Sequence, residues 1–191
     1  MRAQPAAKEK PAVEEPNTRV DVQEAWYDPL VMETPRDFFE TKAKPSYWDW
    51  RDEPLAEHRA LALFGFANDM AEQMFHHLAL EKKYGKRGQG QYRDELTRSH
   101  PDFGLLRDIA DGTKHVRLDR GNRKISSADK TGRGALTWEK LGDTWEDADY
   151  TWEETGDLLI TTTDSGKQRS LISIANNVMS MWEHLLNENG L

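Results

Sequence analysis

Residues 55–83, LAEHRALALFGFANDMAEQMFHHLALEKK, carry the pattern that most constrains the fold. Ala60, Phe64, Ala67, Ala71, Met74 and Leu78 recur at alternating steps of four and three, which places them on one stripe of a helix. The small residues in the stripe permit close approach of a partner helix. Pro54 before the segment and Gly85 after it are start and stop signals, so the pattern predicts one long helix over residues 55–83. The same period recurs elsewhere. A helix is expected over residues 91–98, ending before Pro101, and another from Pro101 with Leu105, Leu106, Ile109, Ala110 and Thr113 on its apolar face. The last is expected over residues 170–187, on Leu171, Ile174, Val178, Trp182 and Leu185, with Gly190 past its end. Thr34 followed by Pro35 reads as a cap and first-turn proline for a short helix.

Between the third and last of the longer helices the period shortens. Residues 135–140, 150–153 and 158–163 are rich in Thr, Trp, Tyr and Ile, and Gly142, Gly156 and Asp164-Ser165-Gly166 supply turns. The expected class is therefore α+β, mostly α: a helical bundle with a small antiparallel β-meander inserted at about residues 134–169. Residues 1–20 mix Pro, Ala, Glu and Lys without apolar period and read as a flexible, extended N-terminal arm, leaving residues 21–191 as a single domain. From residue 20 to residue 50, Trp26, Tyr27, Leu30, Val31, Phe38, Phe39, Tyr47, Trp48 and Trp50 are interleaved with prolines. Aromatic groups that dense, each able to bury about 150 Å² or more, are expected to wrap the core or dock on a partner.

Charge narrows the partners. The chain has 191 residues and a formal net charge of -8, which opposes non-specific attachment to nucleic acid or anionic membrane. It has no cysteine, so disulfides, thiolate metal sites and cysteine nucleophiles are excluded. No stretch reads as a signal peptide or a bilayer span, and a cytoplasmic location, or a virion if the chain is phage-encoded, is expected. The charge is unevenly placed. Residues 114–133 hold seven Lys and Arg against Asp119 and Asp129, whereas residues 139–157 hold eight acids against Lys140 alone. The first of these stretches, Lys114 to Arg133, is the one place where nucleic acid would find a foothold.

The acidic stretch contains a repeat, TWEKLGD-TWEDADY-TWEETGD, with Trp138, Trp145 and Trp152 in step at a spacing of seven. As a helix it would place the tryptophans on one coiled-coil seam position. As strand and turn, which Thr-Trp pairs and the GD and DAD sequences favour, each TWE unit lies in or beside a strand. The tryptophans then either plug the meander onto the bundle or stand as aromatic anchors in an acidic rim, the composition of a protein interface.

Two constellations carry possible chemistry. Asp69, Glu72 and His76, and again Asp108, Asp111 and His115, are spaced i, i+3, i+7, which aligns each triplet along one helical face. Carboxylates and imidazoles on facing helices are how bundles hold metals. Both triplets, however, fall on the polar sides of their helices, so solvated faces with no metal and no cofactor are expected. The run RDIADGTKHVRLDR, residues 107–120, sets His115 among Lys114, Arg117 and Arg120, with His76 and His77 on another helix. Such a set supplies an acid, a base and a phosphate clamp for cleaving RNA. Over residues 55–118 the chain resembles the HEPN superfamily of helical bundles, many of whose members are ribonucleases or nucleotide-handling toxins. That resemblance implies catalysis through His115 and Arg107, assisted by Lys114 and His76. Seven residues separate Arg107 from His115, a wider gap than that superfamily uses. Without such a role, Lys114 and Arg117 complement the helix C-terminus and His115 pairs with Asp111.

Phosphate-cradling glycine loops, the Gly-x-Ser-x-Gly elbow and HExxH are all absent from the sequence. The leading expectation is thus a non-catalytic protein-interaction or assembly protein of a phage or bacterial multiprotein particle. Its protein partner would meet Trp26 and Tyr27 of the arm and Trp138, Trp145 and Trp152 of the ribbon. The alternative is a HEPN-like ribonuclease or nucleotide-binding module acting through His115.

Overall fold

In the computed structural model, residues 32–115, 118, 123–135 and 157–191 are described, and the fold is mostly helical with one small antiparallel sheet. Residues 32–191 form one compact unit. The expected arm boundary near residue 20 lies outside the described residues.

The chain enters through a short helix, α1 (Pro35–Phe38), whose start is fixed as its sequence suggests. Thr34 Oγ1 accepts the Asp37 amide at 3.1 Å, Asp37 Oδ2 accepts the Thr34 amide at 3.0 Å, and Pro35 opens the helix. A π-helical turn, Phe39–Ala43, leads into α2 (Lys44–Asp52). Arg36 donates to the Leu191 carbonyl at 3.1 and 2.8 Å and to Asn187 Oδ1 at 2.6 Å, so a cation ties the entrance to the C-terminal end of the chain.

Helix α3 (Glu57–His77) is the central element. Ala60, Phe64, Ala67, Ala71 and Met74 are buried as the stripe requires, and Leu63, Asn68, Met70 and Phe75 widen the buried face. The expected single helix over residues 55–83 is shorter than that. It ends at His77, Ala79 turns the backbone at φ 50, and a separate short helix α4 (Glu81–Tyr84) follows. A left-handed Ala is costly, and the Leu80 amide is satisfied across this turn by the Phe75 carbonyl at 3.0 Å. His76 braces the break, with Nδ1 2.8 Å from Glu81 Oε1.

Helices α5 (Gln89–Ser99) and α6 (Pro101–Gly112) then form a tight pair. Gly104 permits it: a Cβ there would lie 2.6 Å from Thr97 Cγ2. Helix α7 (Leu171–Glu188) is capped by Ser170, whose Oγ accepts the Ile172 and Ser173 amides at 3.2 and 3.4 Å. Trp182 on α7 is fully buried, donates Nε1 to the Ala67 carbonyl at 2.8 Å and packs edge-on to Phe103 at 5.5 Å. One side chain therefore joins α3, α6 and α7.

After a 3-10 turn, Ala128–Lys130, come strands β1 (Thr131–Ala135), β2 (Asp157–Thr162) and β3 (Gln168–Ser170), in the order β1-β2-β3 and antiparallel throughout. The expected strand at residues 158–163 and the Asp164-Ser165-Gly166 turn are present, Gly166 adopting φ 88. β1, over Thr131–Ala135, precedes the expected first strand at residues 135–140. Residues 136–140 and 150–153 lie outside the described residues. β3 has no separate signal in the sequence, because its Ser170 merges with the helix cap. Leu158, Leu159, Ile160 and Thr161 are buried in succession, so both faces of β2 are covered, and the Thr161 hydroxyl is matched by that of Thr131 at 2.9 Å.

Helices and sheet are joined through Asp108, which is 4% exposed. Its Oδ2 accepts the Lys124 and Ile125 amides at 2.7 and 3.1 Å, and its Oδ1 accepts Arg123 Nη1 at 2.8 Å. This corrects the expectation that Asp108 lies on a solvated face. Arg123 also meets Asp111 at 2.8 Å. Burial works against its charge, but the two carboxylates outweigh burial and hold its ionisation above the usual arginine value. Asp108→Ala should cost about 3–5 kcal/mol in urea melts, because it leaves the Lys124 and Ile125 amides without an acceptor and Arg123 with only one of its two carboxylates. Asp111→Ala, at a carboxylate that is 25% exposed, should cost about 1 kcal/mol or less; equal costs would contradict this ranking.

Candidate functional site

The aromatic-rich entrance divides sharply by burial. Phe38, Phe39 and Trp50 belong to the core, Trp50 donating Nε1 to the Pro54 carbonyl at 3.0 Å and meeting Phe64 edge-on at 6.1 Å. Tyr47 is half-buried and its hydroxyl donates to Asn176 Oδ1 at 2.8 Å. Trp48 is the exception at 57% exposed, against 40% for Met32 and 36% for Leu61, the other large apolar side chains exposed among the described residues. The alternation follows from α2 itself: with Tyr47 and Trp50 turned to the bundle, Trp48 faces away.

Trp48 is held rather than loose. Its ring stands edge-on to Tyr47 at 5.0 Å, and the Arg51 guanidinium lies over the Tyr47 ring at 5.9 Å. Pro45, one turn earlier, is also exposed, and Arg51, Asp52 and Asp49 surround the pair at the helix end. Asp49 and Glu53 are bound by Arg59 of α3 at 3.1 and 3.3 Å, which fixes α2 on its neighbour. The result is an apolar anchor with a charged rim on a fixed helix.

The residues of the two acid-His triplets do not converge. Among the described residues, no three His, Asp or Glu side chains come together as a metal-binding group. His76 is exposed and lies between Glu72 at 3.9 Å and Glu81 at 2.8 Å. The Glu81 carboxyl is held below its ordinary value by its own backbone amide first and by His76 second. His115 is exposed just beyond α6, and the expected pairing with Asp111 does not form, because Asp111 is taken by Arg123. Arg107 pairs instead with Asp94 of α5 at 2.8 Å and lies about 12 Å along the helix from His115 at 1.5 Å per residue. Lys114 stands within electrostatic reach of Asp69 on α3. Trp26, Tyr27, Trp138, Trp145 and Trp152 lie outside the described residues.

Three concavities adjoin these elements. A cleft of about 220 Å³ lies between the start of α3, the end of α6 and β1, lined by Glu57, Leu61, Ile109, Thr113 and Thr131 among others. A second, of about 410 Å³, surrounds Asp102, which accepts Arg169 Nη2 at 2.9 Å and Asn177 Nδ2 at 2.7 Å. The third, of about 540 Å³, runs between α5 and α6 and is bordered by Arg123 and Lys124. Ser99 and His100 both line the second space, with no hydrogen bond between their side chains among the described residues. Among the described residues no helix is long and apolar enough to cross a membrane. Neither protein-family models, nor curated proteins, nor solved structures provide a match to this chain.

Sequence reasoning had placed Trp48 in a general aromatic segment without separating it from Tyr47 and Trp50. The signal was present, since three aromatics within one helical turn cannot all face inward.

Asp69 supplies the clearest test of electrostatics. Burial raises its carboxyl above the ordinary aspartate value, overcoming the attraction of Lys114 and Arg93. The folded chain therefore binds this proton more tightly than the unfolded chain. Its contribution to stability is complete below the unfolded aspartate pKa and is lost as pH rises through the folded one. Relative to the wild type, Asp69→Asn should gain melting temperature on going from about pH 3 to about pH 7. A difference that stays flat or falls over that interval would contradict the assignment.

Proposed function

We propose that the chain is a non-catalytic protein-interaction or assembly protein whose described anchor is Trp48 on α2. The observation that carries this reading is an exposed tryptophan seated on a half-buried tyrosine that also carries the Arg51 guanidinium. Tryptophan is enriched where interface energy concentrates, and rigid support lowers the entropy lost on binding. The charged rim suits orientation rather than affinity. In this reading Trp26 and Tyr27 of the arm and Trp138, Trp145 and Trp152 of the acidic ribbon serve the same partner, a protein of a phage or bacterial multiprotein particle.

The test compares the wild-type chain with Trp48→Ala, first in capture from native lysate and then in titration with the purified partner. Loss of the side chain should weaken that partner by about 2 kcal/mol or more, roughly 30-fold. Folding stability should fall by no more than about 1 kcal/mol, the scale of the single ring contact with Tyr47. Unchanged affinity in the variant, or no saturable protein partner for the wild type, would sink the reading.

A further inference from the structure

We propose that the groove between α5 and α6 binds the phosphate group of a small ligand, with Arg98, Arg107 and Lys124 as its contacts. Four cationic side chains line this space of about 540 Å³, Arg98, Arg107, Arg123 and Lys124, against the carboxylates Asp94 and Asp108. The lining carries two more positive than negative charges, and Asp111, paired with Arg123 at 2.8 Å, offsets one of them, in a chain whose net charge is -8.

The two carboxylates are already engaged. Both Asp108 oxygens accept hydrogen bonds, from Arg123 and from the Lys124 and Ile125 amides, and Asp94 is paired with Arg107. Arg98 and Lys124 are exposed, and neither forms an ion pair with the described residues. Arg107 gives only Nη1 to Asp94, leaving Nε and Nη2 of its planar fork for an oxyanion. Lys124 is held in place by its own amide, which is bonded to buried Asp108 at 2.7 Å. Arg107 is thus partly committed to Asp94, whereas Arg98 and Lys124 keep their charge outside ion pairs.

The chemistry favours phosphate. A phosphate monoester carries about -1.5 to -2 near neutral pH, which suits a site holding Arg98 and Lys124 outside ion pairs, and guanidinium groups bind its oxygens in pairs. The volume falls within the roughly 300–1,000 Å³ of small-molecule sites. The site is independent of the Trp48 surface on α2.

Calorimetric titration of the full chain at low ionic strength tests this, using inorganic phosphate, pyrophosphate and AMP as probes. The comparison is with Arg98→Gln, Lys124→Gln and the double variant. These change exposed charges outside the ion pairs that hold the fold, and thermal melts should coincide with the wild type. At least one probe should saturate with a Kd of about 1 mM or tighter, and the double variant should weaken it about tenfold or more. AMP binding tighter than both inorganic probes identifies a nucleotide as the source of the phosphate, and equal or weaker AMP binding identifies free phosphate or pyrophosphate. No saturation by any probe up to about 10 mM, or equal affinity in the double variant, overturns the proposal.

Discussion

A buried carboxylate on α6 fixes the loop that leads from the helices into the sheet, beside the Arg169–Asp102 ion pair that joins β3 to the same helix. Asp108 has almost no contact with water, yet both its oxygens are occupied, by a guanidinium and two consecutive backbone amides. An unpaired charge at that depth would be expensive, and the loop that pairs it has no regular structure of its own. The carboxylate thus organises residues 123–125, and these carry Ile125 into the core at 1% exposure. From there the Lys124 carbonyl accepts the Asp164 amide at 2.7 Å, and Asp164 Oδ1 accepts the Ser126 amide and hydroxyl and pairs with Lys130. Lys130 foremost, with the Ser126 bonds, keeps the Asp164 carboxyl below its ordinary value. The path from α6 to the β2–β3 turn is polar throughout.

That path explains the surfaces it leaves behind. Because Asp108 fixes Arg123 and Lys124 beside α6, their cationic groups border the groove with Arg98 and Arg107. On the opposite side of the chemistry, α2 is locked by Arg59 and by Trp50, so its outward Trp48 is presented without freedom to fold away. Rigidity in both cases comes from buried contacts one or two residues from the exposed group. Binding then loses little conformational entropy.

Much of this fold was legible in the sequence. The stripes of α3, α6 and α7 are strictly periodic, and the caps at Thr34, Pro101 and Ser170 mark helix starts by ordinary chemistry. The break at Ala79 was not legible, since the apolar spacing runs on to Leu78 and no Gly or Pro stands between there and Gly85. Asp108 was misread for a related reason. It lies off the apolar stripe by helical angle, and its burial is imposed by a distant loop whose amides leave no sequence signature. Arg107 and His115 looked like partners by proximity in sequence, but each was directed by its position on the helix, Arg107 toward Asp94 and His115 beyond the last turn.

The account stands on Asp108 as the junction, and amide hydrogen exchange reads that most directly. The Lys124 and Ile125 amides, in a segment without helix or strand, should be protected to the level of the α3 core and exchange only on global unfolding. If they exchange as fast as the amide of exposed Ser165 in the β2–β3 turn, the carboxylate does not hold the loop and the junction is elsewhere.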